Sequence, residues 1–353
     1  MPLSEKQGVG SSILPLATKM NIFVTGIAGF LGSHIADALI KEGHNVSGCD
    51  NLIGGYLENV PEEAEFFQID AIYLNQMKKM TKGVDLIIHT ACTAYEGLSI
   101  FSPYLVGQNT YQISMSVFTA AAENNVPKVI NCSSMARYGE QKKVPFTEDL
   151  LPKPQDPYGI AKLAAEQTLE VMSSVHGFEY VNLVPHNIIG PRQKFDDPYR
   201  NVVSIMINRI LNGNPPIIYG DGSQERCFSD IDDVVYPMIE SISNKKAVGE
   251  TINVGPDEDV ISIKELAFKI IEVLNSDMEP IFVDPRPQEV KLAHCSADKA
   301  RKLLGYKTSV TLDKSIEKIA NWIIEVGPKK FRYHLDIEIL NEKTPKTWTQ
   351  KLF

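Results

Sequence analysis

Short apolar runs alternate with helical patterns through the first half of the chain. Five such runs are rich in β-branched or apolar residues, and several are apolar on both faces, as strands of a parallel sheet covered by helices are. They lie at residues 21–25, 45–50, 65–69, 85–89 and 128–132. Residues 30–41 and 106–125 between them predict helices. This alternation predicts an α/β fold with a doubly wound parallel sheet.

The pattern loosens after about residue 185, where prolines and glycines become frequent. Helices and short strands nevertheless continue to about residue 326, which predicts a second, smaller α/β domain. We therefore divide the chain into an extension at 1–19, a first domain at 20–185, a second domain at 186–328 and a polar tail at 329–353.

Composition narrows the class of protein. The chain has 353 residues, of which 43% are hydrophobic and 22% are charged, and its formal net charge is −9. An acidic chain has no general attraction to nucleic acid or to an anionic membrane surface, and no run approaches the ~20 apolar residues of a membrane helix. The five cysteines are widely spaced and include no CxxC pair, so we expect no metal site and a cytoplasmic location.

A glycine motif follows the first predicted strand. Gly26, Gly29 and Gly32 are spaced GxxGxxG, and Phe30 and Leu31 open the helix that comes next. Glycines at these positions allow a tight turn, a close approach to a pyrophosphate, and close packing of helix on strand. The spacing alone also fits a plain tight turn. Its place between a strand and a helix favours a dinucleotide site of the Rossmann type.

Carboxylates after the second and third predicted strands indicate which dinucleotide is bound. Asp50, followed by Asn51, lies 18 residues beyond Gly32, where a carboxylate accepts hydrogen bonds from the adenosine ribose and repels a 2′-phosphate. This favours NAD over NADP, although Asp50 also suits a turn at a strand end. Asp70, followed by Ala71, could reach the adenine or could be a solvated loop carboxylate.

A second motif places acid–base chemistry on a helix. Asp156 and Pro157 form a helix start, and Tyr158 and Lys162 follow with a spacing that puts both on one face. A tyrosine is a poor base near its ordinary pKa of about 10, but a nearby ammonium and a cationic nicotinamide favour the phenolate and lower that pKa. Such pairs also occur by chance in helices. Ser133 and Ser134, just past the fifth strand, offer hydroxyls to a substrate oxygen or form an ordinary turn.

These motifs, taken in order, resemble the extended short-chain dehydrogenase/reductase family that acts on nucleotide sugars, especially its UDP-glucose 4-epimerases. The resemblance spans about residues 21–325. Further matching segments lie at 89–91, 133–139, 156–162, 187–193, 218–222, 226–233 and 286–289.

The resemblance implies roles for the motif residues. Tyr158 would be the base, Lys162 would hold the nicotinamide ribose, and Ser134 would bind the reacting oxygen. Further cofactor contacts would come from Ala91, Thr93, Asn109, Ser133, and Pro185 or His186. A homodimer built from the helices near 106–125 and 157–175 is also implied.

The resemblance likewise implies a nucleotide-sugar site. Arg226 and Arg286 would bind the diphosphate, which suits the planar guanidinium group. Ala293 would set the size of the sugar pocket and leave room for a 2-substituent. The remaining contacts would be Asn187, Asn201 and Val202 beside the phosphates, Ile218 and Tyr219 at the base, and Glu289 at the ribose.

The expected function is NAD-dependent epimerisation at C4 of a nucleotide-diphosphate sugar through a 4-keto intermediate. The sugar would be UDP-glucose/UDP-galactose or the N-acetylated pair. Alternatives are a 4-dehydrogenase or reductase of the same family, and a non-catalytic dinucleotide sensor. A 4,6-dehydratase is disfavoured because Met135, Ala136 and Arg137 stand where such enzymes carry an acid.

Overall fold

A seven-stranded parallel sheet lies at the centre of the computed structural model, which describes residues 19–353. The strands of the chain are β1 (Asn21–Thr25), β2 (Asn45–Cys49), β3 (Glu65–Phe67), β4 (Leu86–His89), β5 (Lys128–Cys132), β6 (Glu179–Pro185), β7 (Ile188–Ile189), β8 (Ile217–Tyr219), β9 (Glu225–Arg226), β10 (Ser229–Asp230), β11 (Thr251–Val254), β12 (Ile261–Ser262), β13 (Ile281–Val283) and β14 (Leu292–Ala293). The sheet has the order β3-β2-β1-β4-β5-β6-β11. The predicted doubly wound α/β fold is confirmed, while the predicted extension lies outside the described residues except for Lys19.

Helices cover both faces of this sheet. The α-helices of the described chain are α1 (Phe30–Lys41), α2 (Leu74–Met80), α3 (Glu96–Ser99), α4 (Pro103–Gly107), α5 (Ile113–Glu123), α6 (Pro157–His176), α7 (Val202–Leu211), α8 (Ile231–Ser243), α9 (Ile263–Val273), α10 (Asp298–Leu304), α11 (Leu312–Val326) and α12 (Lys346–Thr349). Within residues 19–353, none of them combines the length and apolar character needed to cross a membrane.

The helix predicted over 106–125 contains an irregular turn. It consists of α4, a π-helical turn at Gln108–Gln112, and α5. A π turn adds one residue to a helical turn and is frequent at functional sites. Asn109, one of the predicted cofactor contacts, lies in this turn.

Alternation along the strands separates two cores. Ile22 and Val24 of β1 pack with α1 and α8 on one face of the sheet, whereas Phe23 packs with α2 and α5 on the other. Successive side chains of a strand point to opposite faces, so a run that is apolar throughout can serve both cores.

The two predicted domains interleave instead of dividing at residue 185. β11 pairs with β6, and residues of α8 and α10 join the core on that face of the sheet. Pairing with β11 gives β6 a second neighbour and covers what would otherwise be an exposed edge. A separate core contains α7, α9 and α11.

The predicted polar tail is packed against the rest of the molecule. Residues 329–353, hereafter the C-terminal strap, include Thr347 and Trp348, whose side chains are buried. Trp348 packs edge-on against Tyr199 and Phe101, with ring centres 5.4 Å and 6.0 Å away. Polar composition concealed this packing because the few buried residues are spread among many exposed ones.

Candidate active site

A cleft with a volume of about 410 Å³ opens at the carboxyl ends of the central strands. Parallel strands all end at the same edge of a sheet, and ligands bind where the strand order reverses, here between β1 and β4. Residues of the second half of the chain complete the opposite wall. Most of the predicted site residues line this cleft.

The glycine motif forms the turn from β1 to α1 and leaves no space for side chains. Gly26 has a φ of +75°, which favours glycine. A Cβ added at Gly29 would lie 3.0 Å from the Gly26 carbonyl oxygen, and one at Gly32 would lie 2.2 Å from it. Among the described residues no side chain caps α1 at Gly29, and Phe30 and Leu31 also line the cleft. The helix start is therefore open to a phosphate, as a dinucleotide site requires.

Asp50 joins this turn to the end of β2. Its two carboxylate oxygens accept hydrogen bonds from the backbone amides of Ala28 (3.1 Å) and Leu52 (2.7 Å). Burial raises the pKa of Asp50, and these amides act in the opposite direction. Each oxygen retains a lone pair for a ribose hydroxyl.

The side chains after β2 and β3 are linked to each other. Asn51 donates a hydrogen bond to Asp70 (2.9 Å), and both residues line the cleft together with Ala71. The two predicted adenine-side residues therefore form one surface beside Asp50.

The π turn brings Asn109 to the loop that follows β4. The backbone amide of Thr93 donates to the Asn109 carbonyl (3.2 Å), and Ala91 lines the cleft next to them. The Thr93 hydroxyl is buried and has no hydrogen-bond partner within residues 19–353. Pro185 lines the cleft from the end of β6. These positions fit the cofactor contacts that the sequence predicts.

Helix α6 carries the predicted catalytic pair. Asp156 caps its start by accepting a hydrogen bond from the Gly159 amide (2.9 Å), which places Tyr158 in the first turn. Lys162 Nζ donates to the Cys132 carbonyl at the end of β5 (2.7 Å) and lies 5.9 Å from the centre of the Tyr158 ring. The ammonium is thus held beside the tyrosine by the backbone of the neighbouring strand.

One turn further along, α6 contributes a residue that the sequence analysis missed. Glu166 is buried, contacts the Ser133 hydroxyl, and lies 2.9 Å from Nε of the buried Arg137. Burial raises the pKa of Glu166, whereas Arg137 lowers it. The four-residue repeat 158–162–166 was the available signal. Glu166 links α6 to the serine-containing turn.

The expected lowering of the Tyr158 pKa does not occur with the protein's own groups. Burial raises the pKa of Tyr158 well above its ordinary value, and the neighbouring Ser134 hydroxyl opposes that rise. Desolvation disfavours the phenolate strongly at a site buried among protein atoms. A positively charged ligand beside the ring would oppose this rise.

The predicted diphosphate arginines lie on the opposite wall. Arg286 donates to Glu289 (2.6 Å), and its guanidinium carbon is 4.6 Å from the centre of the Tyr219 ring. Arg226 donates to the Val290 carbonyl (2.8 Å). Both arginines line the cleft, where their planar guanidinium groups could receive an anion.

The two predicted asparagines fix the backbone of this wall. Asn201 caps α7 by accepting from the Val203 amide (2.9 Å), and Asn187 donates to the Cys227 carbonyl (2.9 Å). Both line the cleft with Val202.

Three predicted residues do not line the cleft. Ile218 is fully buried, and Ile217 and Tyr219 line the cleft in its place because alternate residues of a strand share a face. Ala293 lies in a core with Tyr138 and other apolar residues and does not itself line the cleft.

His186 also lies behind the cleft wall. It is 1% exposed, and its Nε2 is 2.7 Å from the Pro256 carbonyl oxygen. Of the two alternatives offered by the sequence, Pro185 is the one that lines the cleft.

Two charged residues in the cleft had no motif to reveal them. Arg200 donates to the Gly54 carbonyl (3.0 Å) and so reaches from the substrate wall to the cofactor wall. Glu96 begins α3 and lines the cleft. The surrounding protein and the nearby Asp156 carboxylate raise the pKa of Glu96.

The geometry matches a known family. The profile of the NAD dependent epimerase/dehydratase family matches residues 22–255. The chain belongs to this family. The family's cofactor is NAD, so the predicted cofactor is confirmed, and the resemblance noted in the sequence is confirmed with it.

Solved structures support the same assignment. The UDP-glucose 4-epimerase of Thermotoga maritima, with UDP-glucose, is 30% identical (TM-score 0.83; 87% of this chain and 99% of that one). The UDP-N-acetylglucosamine 4-epimerase of Methanobrevibacter ruminantium, with UDP-N-acetylmuramic acid, is 32% identical (TM-score 0.82; 88% of this chain and 100% of that one). The UDP-glucuronic acid 4-epimerase of Bacillus cereus, with UDP-glucuronic acid and NAD, is 28% identical (TM-score 0.81; 87% of this chain and 100% of that one).

The position of Asp50 generates a test of cofactor choice. We expect Asp50→Asn to weaken NAD binding by about 10- to 100-fold, because hydrogen bonds to a charged group are lost. Discrimination against NADP should fall at the same time, because the charge that repels the 2′-phosphate is gone. Calorimetric titration of cofactor-depleted protein measures both affinities. Unchanged affinities for NAD and NADP would contradict the assignment.

Proposed function

We propose that the protein is an NAD-dependent 4-epimerase of a UDP-linked neutral hexose, either glucose/galactose or the N-acetylated pair. The observation that carries the proposal is the placement of Tyr158, Ser134 and Lys162 in one cleft with Arg226 and Arg286 on the facing wall. A single ligand with a diphosphate and a sugar hydroxyl would engage both groups.

The residues of the cofactor wall fit NAD. The glycine turn accepts no Cβ at Gly32, the start of α1 is open, and Asp50 and Lys162 stand where the two riboses would bind. Bound NAD⁺ supplies an acceptor for the hydride of C4, its donor in the return step, and a positive charge that favours the Tyr158 phenolate.

The chain's own residues would transfer the proton and orient the sugar. Ser134 would hold the 4-oxygen while Tyr158 takes its proton, and the sugar becomes a 4-keto sugar. Lys162, fixed to the Cys132 carbonyl, stabilises the phenolate before that transfer. After the keto sugar has rotated in the cleft to present its opposite face, Tyr158 would return the proton to the 4-oxygen. Electrons and protons balance, and no net oxidation occurs.

The charge at the sugar position favours a neutral sugar over a uronate. A Cβ built on Gly97, next to Glu96 in α3, would lie 3.4 Å from Arg286 Nη1, while Ser99 of the same helix donates to Asp156 (3.3 Å). Helix α3 therefore spans from the diphosphate arginines to the start of α6. Glu96 of this helix lines the cleft, and in its charged form it would repel a sugar carboxylate and accept hydrogen bonds from hydroxyls.

An exposed apolar surface supports a homodimer. Ile160, Val171 and Val175 lie on one face of α6 and are 54–71% exposed, and Tyr111 adjoins them through a hydrogen bond to Thr168 (3.3 Å). Apolar side chains gathered on one surface mark an interaction site.

We expect light scattering to give twice the chain mass for the natural protein and a smaller mass for Val171→Glu. Equal masses would contradict this interface.

Replacement of the base tests the proposed chemistry. We expect Tyr158→Phe to lower kcat by about 10²- to 10⁴-fold, because general acid–base catalysis is lost. Bound NAD, measured by absorbance after denaturation, should be retained. Near-normal turnover would contradict the role. NMR of the products separates epimerisation from the alternative 4-dehydrogenase, which would release a keto sugar and accumulate NADH.

The role of Glu96 is tested by a ratio of substrates. We expect Glu96→Gln to raise kcat/KM for UDP-glucuronate relative to UDP-glucose by about 5-fold or more, because removing a like charge a few ångströms away is worth at least about 1 kcal/mol. Asp149→Asn, which removes an exposed carboxylate that does not line the cleft, is the matched control. An unchanged ratio in Glu96→Gln would contradict the preference for neutral sugars.

A further inference from the structure

The C-terminal strap is hydrogen-bonded to helices on both sides of the cleft. On the cofactor side, the Glu338 carboxylate accepts hydrogen bonds from the backbone amides of Tyr104 (3.0 Å) and Leu105 (2.8 Å) at the start of α4. On the substrate side, the Lys329 carbonyl accepts from Asn208 of α7 (2.8 Å). These bonds attach the first ten residues of the strap to α7 and α4.

The strap also reaches a residue of the nucleotide site directly. Thr347 Oγ1 lies 2.5 Å from the Tyr219 hydroxyl, and Thr347 is 1% exposed. The Tyr219 ring lies under the Arg286 guanidinium, which in turn donates to Glu289. One chain of contacts therefore runs from the strap through the tyrosine to the arginine and the carboxylate.

The end of the strap forms part of the wall itself. Phe353 lines the cleft, as do Ile217 and Tyr219. Arg209 fixes its approach by donating to the Leu352 carbonyl (2.7 Å), and its guanidinium carbon lies 5.7 Å from the centre of the Phe353 ring. An aromatic ring at this place offers a flat apolar surface to a heterocycle.

Trp348 lies beside Gly97 of α3 and near Arg286. Its Cη2 lies 3.8 Å from the position that a Cβ on Gly97 would occupy, close to the guanidinium of Arg286. Trp348 Nε1 and Arg286 Nε are both buried without a hydrogen-bond partner in the described part of the chain. Arg286 therefore retains an unused donor near the strap.

We infer that the C-terminal strap is a functional wall of the nucleotide site, in which Thr347 orients Tyr219 and Phe353 covers the end of the cleft that takes the nucleoside. This inference rests on the proposed function and extends it, because it assigns recognition of the nucleoside diphosphate to residues outside the family's matched segment at 22–255. The strap positions the ligand and takes no part in proton transfer.

Three strap variants of the full-length, NAD-loaded protein test the inference by calorimetric titration with UDP. Thr347→Val keeps the shape and removes the hydroxyl, and we expect UDP to bind about 3- to 10-fold more weakly, as the loss of one hydrogen bond predicts. Phe353→Ala should weaken binding by about 10-fold through lost apolar contact. Leu340→Ala, at a strap residue that is 67% exposed, is the control and should bind UDP as the natural protein does.

Kinetics distinguish this role from a purely structural one. Thr347→Val should raise KM for the UDP-sugar with kcat, bound NAD and Tm nearly unchanged, and Thr347→Ser should restore the natural KM. Equal UDP affinity in all variants would overturn the inference, as would a parallel loss of Tm and bound NAD. Failure of the natural protein to bind UDP would instead refute the proposed function itself.

Discussion

The parallel direction of all seven central strands is the constraint on which the rest of the molecule depends. Because every strand ends at the same edge, the residues that follow them meet there although they are far apart in sequence. Five site residues lie at the carboxyl end of a strand or within two residues of it, each at a different strand. They are Gly26, Asp50, Ala91, Ser134 and Pro185. Closely packed glycine backbone at the first of these ends leaves space for a dinucleotide, and the second half of the chain supplies the facing wall.

Helix α6 holds the residues that we propose for proton transfer, because one of its faces is attached to the end of β5 at successive turns. Lys162 bonds to the Cys132 carbonyl, and Glu166 contacts Ser133. Tyr158 is held on the same face by a capped helix start. The same packing removes the Tyr158 side chain from water, and this desolvation raises its pKa. A positive charge brought by a ligand would lower the pKa of Tyr158 again, which fits the proposed use of the oxidised cofactor.

Local pattern was sufficient for the sheet, the glycine turn and the catalytic helix, because each is encoded by residues close together in sequence. Strand alternation could also have distinguished Ile217 from Ile218. In contrast, Ala293 was placed in the cleft by family spacing, and its burial depends on a core assembled from distant segments. Glu96 and Thr347 lack any motif, since their neighbours across the cleft come from other parts of the chain. Contacts of that kind follow from the tertiary structure alone.

The interleaving of the two halves determines how the protein can fold. β6 ends at Pro185, and its outer partner β11 begins only at Thr251, after the chain has formed much of the substrate side. During synthesis the sheet therefore keeps an unpaired apolar edge until that segment emerges. A fragment ending at residue 185 would expose this edge. We therefore expect the two halves to unfold together, so that a ligand bound on either wall of the cleft would stabilise the whole molecule by mass action.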